Sequence, residues 1–199
     1  MRLAILAKGP TLQRYPGRDG YKEVWGLNQL GLTHDLDKLF VMDDLVLRMP
    51  AWDADLPEAL KHYPRPIVTS KVYEDWPTAQ RFPIEEVAKH FGLPLGISMY
   101  STVDYMIALG VYEGYDVIEL FGVDCTQAKR EERERASIAR WIAVAQNAGV
   151  RVIVQPQSFF YWYTNTGVCY EHGMYGYAGP PRIESLCDTK TNTSTAHTM

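Results

Sequence analysis

The chain has 199 residues, 46% of them hydrophobic and 22% charged, with a formal net charge of −4. That is the balance of an ordinary globular protein long enough for one well-buried domain, and it argues against non-specific nucleic-acid binding, which needs a basic surface. No apolar run approaches the ~18 residues that span a bilayer, and the widely spaced Cys125, Cys169 and Cys187 form no CxxC pair. The expectation is a cytoplasmic protein in a reducing compartment, without a membrane span, zinc site or redox motif.

The first predicted element is a buried strand, Arg2 to Ala7, running into Lys8-Gly9-Pro10-Thr11-Leu12. Strand, glycine turn and helix start form the geometry in which backbone N–H groups face a phosphate. Gly9 permits close approach, Pro10 suits a first helical turn, Thr11 adds a hydroxyl and Lys8 a positive charge. Neither GxxxxGK[ST] nor GxGxxG is present, so an ordinary turn fits the same residues. Tyr15 to Tyr21 is turn-rich. Residues 23–27 form a second predicted strand ending in Asn28, whose amide suits a base or ribose edge and equally an Asx turn. A third strand, 39–42, ends in Asp43-Asp44. Paired carboxylates at a strand end suit Mg²⁺ or Mn²⁺ against a diphosphate, although adjacent residues in extended chain point opposite ways.

Arg48 to Phe82 is rich in proline, tryptophan and tyrosine, with a short helix near Pro57 to His62 and a strand at 67–69. Its length predicts an insertion or lid, 45–82, over the rim of the sheet. Ile84 to Phe91 reads as an amphipathic helix stopped by Gly92.

The central stretch is Ser101 to Gln127. Val103, Ile107, Ala108 and Val111 recur at helical spacing with Met106 and Leu109 beside them, so this helix is buried on most sides. Ser101 and Thr102 stand at its N-terminus, where hydroxyls cap the helix or help bind an anion. Gly114 ends it, and 117–123 follows as a covered parallel strand closing on Gly122-Val123-Asp124. Ligands of open α/β sheets bind beyond the carboxyl ends of strands, which makes Asp124 a candidate acid or base, or else a turn aspartate. A long helix, Gln127 to Asn147, and a strand, 150–154, complete the alternation.

The aromatic block Phe159 to Tyr163 and the stretch Tyr170 to Tyr177 suit a lid, a stacking platform or a subunit contact. Tyr161, Tyr175 and Tyr177 are expected to close over the site, with His172 pointing into it. Residues 188–199 are polar and read as a disordered tail. The organisation expected is one α/β domain over 1–187, a single three-layer domain with a mainly parallel sheet.

Lys8-Gly9-Pro10-Thr11-Leu12 after a first strand resembles the GxGPSL loop of a Rossmann-like superfamily. That superfamily joins bacterial sialyltransferases, archaeal 6-hydroxymethylpterin pyrophosphokinase-like proteins and DUF115 proteins. Leu27-Asn28-Gln29 resembles its strand end with asparagine, and STVDYMIALGVYEGYDVIELFGVDC its "TSGvyaLaiAiylGykeIyLlGvDf" core. AQNAGVRVIVQPQS and Tyr175-Gly176-Tyr177 are similar to segments of uncharacterised tailed-phage members. Lys8 stands where the sialyltransferases carry a small or amide residue.

The resemblance implies a nucleotide-dependent transferase, foremost a glycosyltransferase using a nucleotide-sugar donor. Gly9, Pro10, Thr11 and Asn28 would contact nucleotide, Ser101 and Thr102 its phosphate or sugar, and Lys8 or a metal on Asp43 or Asp44 would neutralise a diphosphate. Asp124 or His172 would act as base. Two alternatives stand beside it. One is an ATP- and Mg²⁺-dependent pyrophosphokinase-like enzyme on a pterin or nucleoside. The other is a non-catalytic nucleotide-binding phage protein. Partners would be a small-molecule nucleotide and an unidentified acceptor, a modified DNA base among the candidates, with a homo-oligomer as a further expectation and host cytoplasm as the setting. Gly9, Asn28, Asp44, Ser101 and Asp124 are expected to converge on one rim of the sheet.

Overall fold

Among the described residues, seven strands form one sheet in the order β5-β4-β3-β2-β1-β6-β7. They are β1 (Arg2–Leu6), β2 (Glu23–Leu27), β3 (Lys38–Val41), β4 (Ile67–Thr69), β5 (Ala79–Arg81), β6 (Val117–Phe121) and β7 (Arg151–Val154). Every pairing is parallel. The structure, a computed structural model, describes residues 1–92, 99–126 and 131–161. The tail expected at 188–199, His172, Tyr175, Tyr177, Cys169 and Cys187 lie outside the described residues, as do the first residues of the helix expected from Gln127.

A parallel sheet needs both faces covered, and β1 shows how the sequence meets that demand. Leu3 to Leu6 are all fully buried. Leu3 and Ile5 pack on one face with residues of α2 (Ile84–His90), α3 (Thr102–Tyr112) and α4 (Glu132–Asn147). Ala4 and Leu6 pack on the other, with Leu30, Leu36, Leu45, Met49 and side chains of α1 (Leu56–Leu60). The pleat therefore sends alternate residues into two separate cores, and the architecture is the expected three-layer α/β fold. Gly110 brings α3 close to the sheet: a Cβ there would lie 2.9 Å from Leu3 and 3.0 Å from Ile118.

Two expectations change. The segment 45–82 is woven into the sheet: it supplies β4 and β5 and buries Leu45, Met49, Leu56, Leu60 and Trp76. The expected strand at 67–69 is β4, whereas β5 went unread because it is three residues long and polar. Asp104 is the other surprise, a fully buried aspartate in the first turn of α3. It completes a capping box with Ser101, and its Oδ2 also accepts from Tyr100 N (2.8 Å) and from the Ser137 hydroxyl of α4 (2.6 Å). Burial pushes the Asp104 carboxyl up, against the opposing pull of the Ser137 hydrogen bond. No helix among the described residues is long and apolar enough to cross a membrane.

The chain steps from β1 outward to β5, then returns to the other side of β1 for β6 and β7. The carboxyl ends of β1 and β6 therefore flank a topological switch point, where the connections diverge and leave a crevice.

Candidate functional site

Four hydrogen bonds lace the loop after β1 to the loop after β6. Gly9 N donates to Gly122 O (2.8 Å), Gly122 N to Thr11 Oγ1 (2.9 Å), Thr11 N to Asp124 Oδ2 (2.7 Å) and Thr11 Oγ1 to Asp124 Oδ1 (2.5 Å). Two glycines make this approach possible. A Cβ on Gly9 would lie 2.5 Å from Gly122 O and closer still to Asp124 Oδ2, and one on Gly122, at φ +71°, would strike the Ala7 carbonyl. The lacing continues on the far side, where Ser158 Oγ donates to Val123 O (2.7 Å) and Phe159 N to Asp124 O (2.9 Å).

This corrects two sequence readings. Thr11 is 2% exposed and Asp124 4% exposed. Thr11 is a brace behind the loop and lines neither hollow described below. Asp124 lines one hollow, but both of its oxygens are engaged by Thr11. An aspartate tied in this way braces the rim, and both of its oxygens are already occupied where a catalytic base needs one open to the substrate.

Two adjoining hollows open at the rim. The larger, about 590 Å³, lies over the ends of β2 and β3 and is lined by Lys8, Asn28, Gln29, Asp43, Trp52, Ser101, Thr102 and Glu134, with Met42, Met49 and Met99 as apolar wall. The smaller, about 330 Å³, lies over the switch point and is lined by Gly9, Pro10, Gly122, Asp124, Cys125 and Glu131 among others. Lys8, Leu27, Ser101 and Glu134 line both. Of the predicted site residues, the rim thus brings together Lys8, Gly9, Pro10, Asn28, Asp43, Ser101, Thr102 and Asp124. Tyr161 is described but lines neither hollow.

Asn28 combines a left-handed backbone with an unpartnered polar atom. It sits at φ +50°, in the left-handed region that asparagine tolerates better than most side chains. Its Oδ1 is buried and has no hydrogen-bond partner. A strained residue carrying an orphaned acceptor at a strand end is an arrangement that a bound ligand relieves.

The Asp43-Asp44 pair splits as the pleat requires, and the member expected to converge is the wrong one. Asp43 lines the larger hollow. Asp44 turns away: its Oδ1 accepts from Val46 N (2.9 Å) and Leu47 N (3.0 Å), and Lys71 Nζ lies 2.7 Å from its Oδ2. Lys71 foremost, and then the Leu47 amide, hold the Asp44 carboxyl down to about 2. Asp44 is a turn cap and ion-pair partner, so the paired-carboxylate metal site dissolves. Among the described residues no group of three His, Cys, Asp or Glu side chains is placed to hold a metal ion.

Lys8 stands at the junction of the hollows. Its Nζ donates to the neutral amide oxygen of Gln29 (3.0 Å), and Gln29 Nε2 donates to Asp53 Oδ2 (2.8 Å). The relay fixes the direction of the ammonium without neutralising it by direct contact. Ser101 brings the N-terminus of the 11-residue α3 to the same junction, where the helix dipole favours negative charge. Cys125, at φ +46°, has its thiol pushed up to about 12, by burial first and then by Glu131 and Glu134, which makes it inert as a nucleophile.

Sequence reasoning missed Gln29, Trp52, Glu134 and the methionine wall. Glu134 stands in a charged run that reads as a solvated face, and nothing in the local pattern marks Trp52 as exposed. The Ser101-x-x-Asp104 spacing was a legible capping signal.

A parallel three-layer sheet with hollows at its switch point defines the class of Rossmann-like α/β folds. No protein-family model matches the sequence, and no curated protein matches it. Solved structures do. The fold is similar to the sialyltransferase CstII from Campylobacter jejuni in complex with CMP-3FNeuAc, at a TM-score of 0.55 and 15% identity over 82% of this chain and 84% of that one. It is similar to CstII with a trisaccharide acceptor and CMP, at 0.53 and 14% over 82% and 85%. The apo α-2,3-sialyltransferase from the same organism matches at 0.55 and 15% over 82% and 79%. At these identities the likeness establishes a shared fold.

Proposed function

We propose that the protein is a glycosyltransferase that uses a nucleotide-sugar donor whose leaving group is a nucleoside monophosphate. The observation that carries this reading is Asn28, a strained strand-end residue with an unpartnered buried oxygen inside a cleft that also presents Lys8 and the capped N-terminus of α3. The fold neighbours support it, since CMP and a CMP-sugar analogue are what those sialyltransferases carry. The monophosphate form follows from charge. One lysine and one helix N-terminus match a single phosphate, while the second carboxylate that a metal-bound diphosphate would use is tied to Lys71.

The donor nucleotide lies across the smaller hollow, against the braced Gly9 and Gly122 backbone. Its phosphate sits at the junction and its sugar in the larger hollow. An acceptor hydroxyl oxygen attacks the anomeric carbon, and the bond from that carbon to the phosphate oxygen breaks. The electron pair leaves on the nucleoside monophosphate, whose growing charge faces Lys8 and the Ser101 end of α3. The acceptor proton passes to Glu134, the carboxylate that lines both hollows.

The test is a thermal-shift and calorimetric screen of CMP, UMP, ADP, ATP and their sugars, with and without EDTA. A monophosphate and its sugar should stabilise the fold in EDTA. No shift with any nucleotide refutes the reading, and binding that requires Mg²⁺ and ATP replaces it with phosphoryl transfer.

A further inference from the structure

Four tryptophans are described, and three of them are core: Trp25 and Trp141 are fully buried and Trp76 is 5% exposed. Trp52 is 76% exposed and lines the larger hollow. Its exposure is not looseness. Trp52 N and Asp53 N both donate to Met49 O (2.9 Å each), Met49 is 2% exposed, and Asp53 is held by Gln29 Nε2 and by Leu56 N (3.1 Å). A pinned backbone therefore holds an exposed indole on the wall of the larger hollow, in a part the smaller hollow does not share.

The chemistry around that face selects a ligand class. Asp43, on the same hollow, accepts hydrogen bonds and repels anions; Gln29 and Asn28 add amides. A ring with an apolar C–H face and a hydroxyl edge satisfies both the indole and the carboxylate, whereas a phosphate is turned away by Asp43 and drawn toward Lys8. We infer that Trp52 is the stacking platform of an acceptor subsite for a neutral pyranoside, with Asp43 accepting from its hydroxyls. This rests on the transferase reading only in calling the pyranoside an acceptor; the binding itself is tested apart from it.

The full-length protein is titrated with methyl β-galactopyranoside, methyl β-glucopyranoside and lactose, followed by saturation-transfer NMR and tryptophan fluorescence, with CMP titrated separately. At least one pyranoside should bind and perturb the fluorescence, and the perturbation should vanish in Trp52→Phe. Trp52→Phe should keep most of the affinity, while Trp52→Ala loses about tenfold. Asp43→Asn should weaken pyranosides as well. The inference is overturned if no pyranoside binds up to its solubility limit, if Trp52→Ala binds as the parent does, or if cytidine and adenosine perturb Trp52 in place of sugars. Loss of CMP binding alone would sink the donor reading and leave the pyranoside result standing.

Discussion

Replacing Asp124 by alanine separates a bracing carboxylate from a catalytic one. The substitution removes two hydrogen bonds to a carboxylate and leaves the Thr11 amide and the Thr11 hydroxyl proton without an acceptor in a place where Thr11 is 2% exposed. Hydrogen bonds to charged groups contribute about 1.5–3 kcal/mol each, so the loss should be about 3–6 kcal/mol. Asp124→Asn keeps an oxygen for the Thr11 amide but forces the Thr11 hydroxyl to reorient, for a loss of about 1–2 kcal/mol. Urea denaturation followed by the fluorescence of the buried Trp25 and Trp141 measures both. A double-mutant cycle with Thr11→Val should return a coupling of about 1–3 kcal/mol, because the two residues share their bonds. An Asp124→Ala protein within about 0.5 kcal/mol of the parent would refute the bracing argument.

Asn28→Gly keeps a backbone that glycine adopts freely at φ +50°. It should change stability by under about 1 kcal/mol while weakening binding of the nucleotide sugar at least about tenfold in calorimetry; unchanged affinity for the nucleotide sugar would remove Asn28 from the site. Glu134→Gln should lower kcat by about 10²-fold or more with nucleotide affinity retained, and a full-rate variant would pass the proton to another group. Asp44 sets an acid limit. Its folded-state value, about 2, lies below its ordinary 3.8, so its contribution is present above about pH 4 and is lost as the pH falls through about 2. Melting temperatures from pH 5 to pH 2 should drop more steeply in the parent than in Asp44→Asn.

The parts of this molecule that could be read from the chain are those where burial acts on a run of residues. The strands at 2–6 and 117–121 are apolar because both sheet faces are covered, and α3 shows its buried circumference in its own spacing. What escaped is what depends on partners far away in sequence. Ala79-Gln80-Arg81 is a strand only because Ile67–Thr69 offers it a ladder, and three polar residues at an edge carry no periodic signal. The pleat dictates that Asp43 and Asp44 diverge, but only the turn at Val46 and Leu47, and Lys71 beyond it, decides that Asp44 is the one withdrawn. Gly9 was legible as a point of close approach, yet its nearest neighbours are Gly122 and Asp124 of its own fold.

The two hollows differ in how their walls are held, and that difference bears on what each recognises. The smaller is bounded by loops whose main chains are laced together across β1, β6 and β7, with glycines admitting no alternative packing. Such a wall presents one arrangement of backbone groups and selects a ligand of fixed shape. The larger is walled by Met42, Met49 and Met99, unbranched side chains that fill irregular space and repack readily. Its polar groups, Asp43 and Gln29, sit on the loops after β3 and β2, away from the laced switch point. A substitution at Met42, Met49 or Trp52 therefore alters what the larger hollow accepts without disturbing the brace at Asp124. If the proposed transferase reading holds, the nucleotide would be the invariant substrate, and the acceptor the one that changes by mutation of a few side chains.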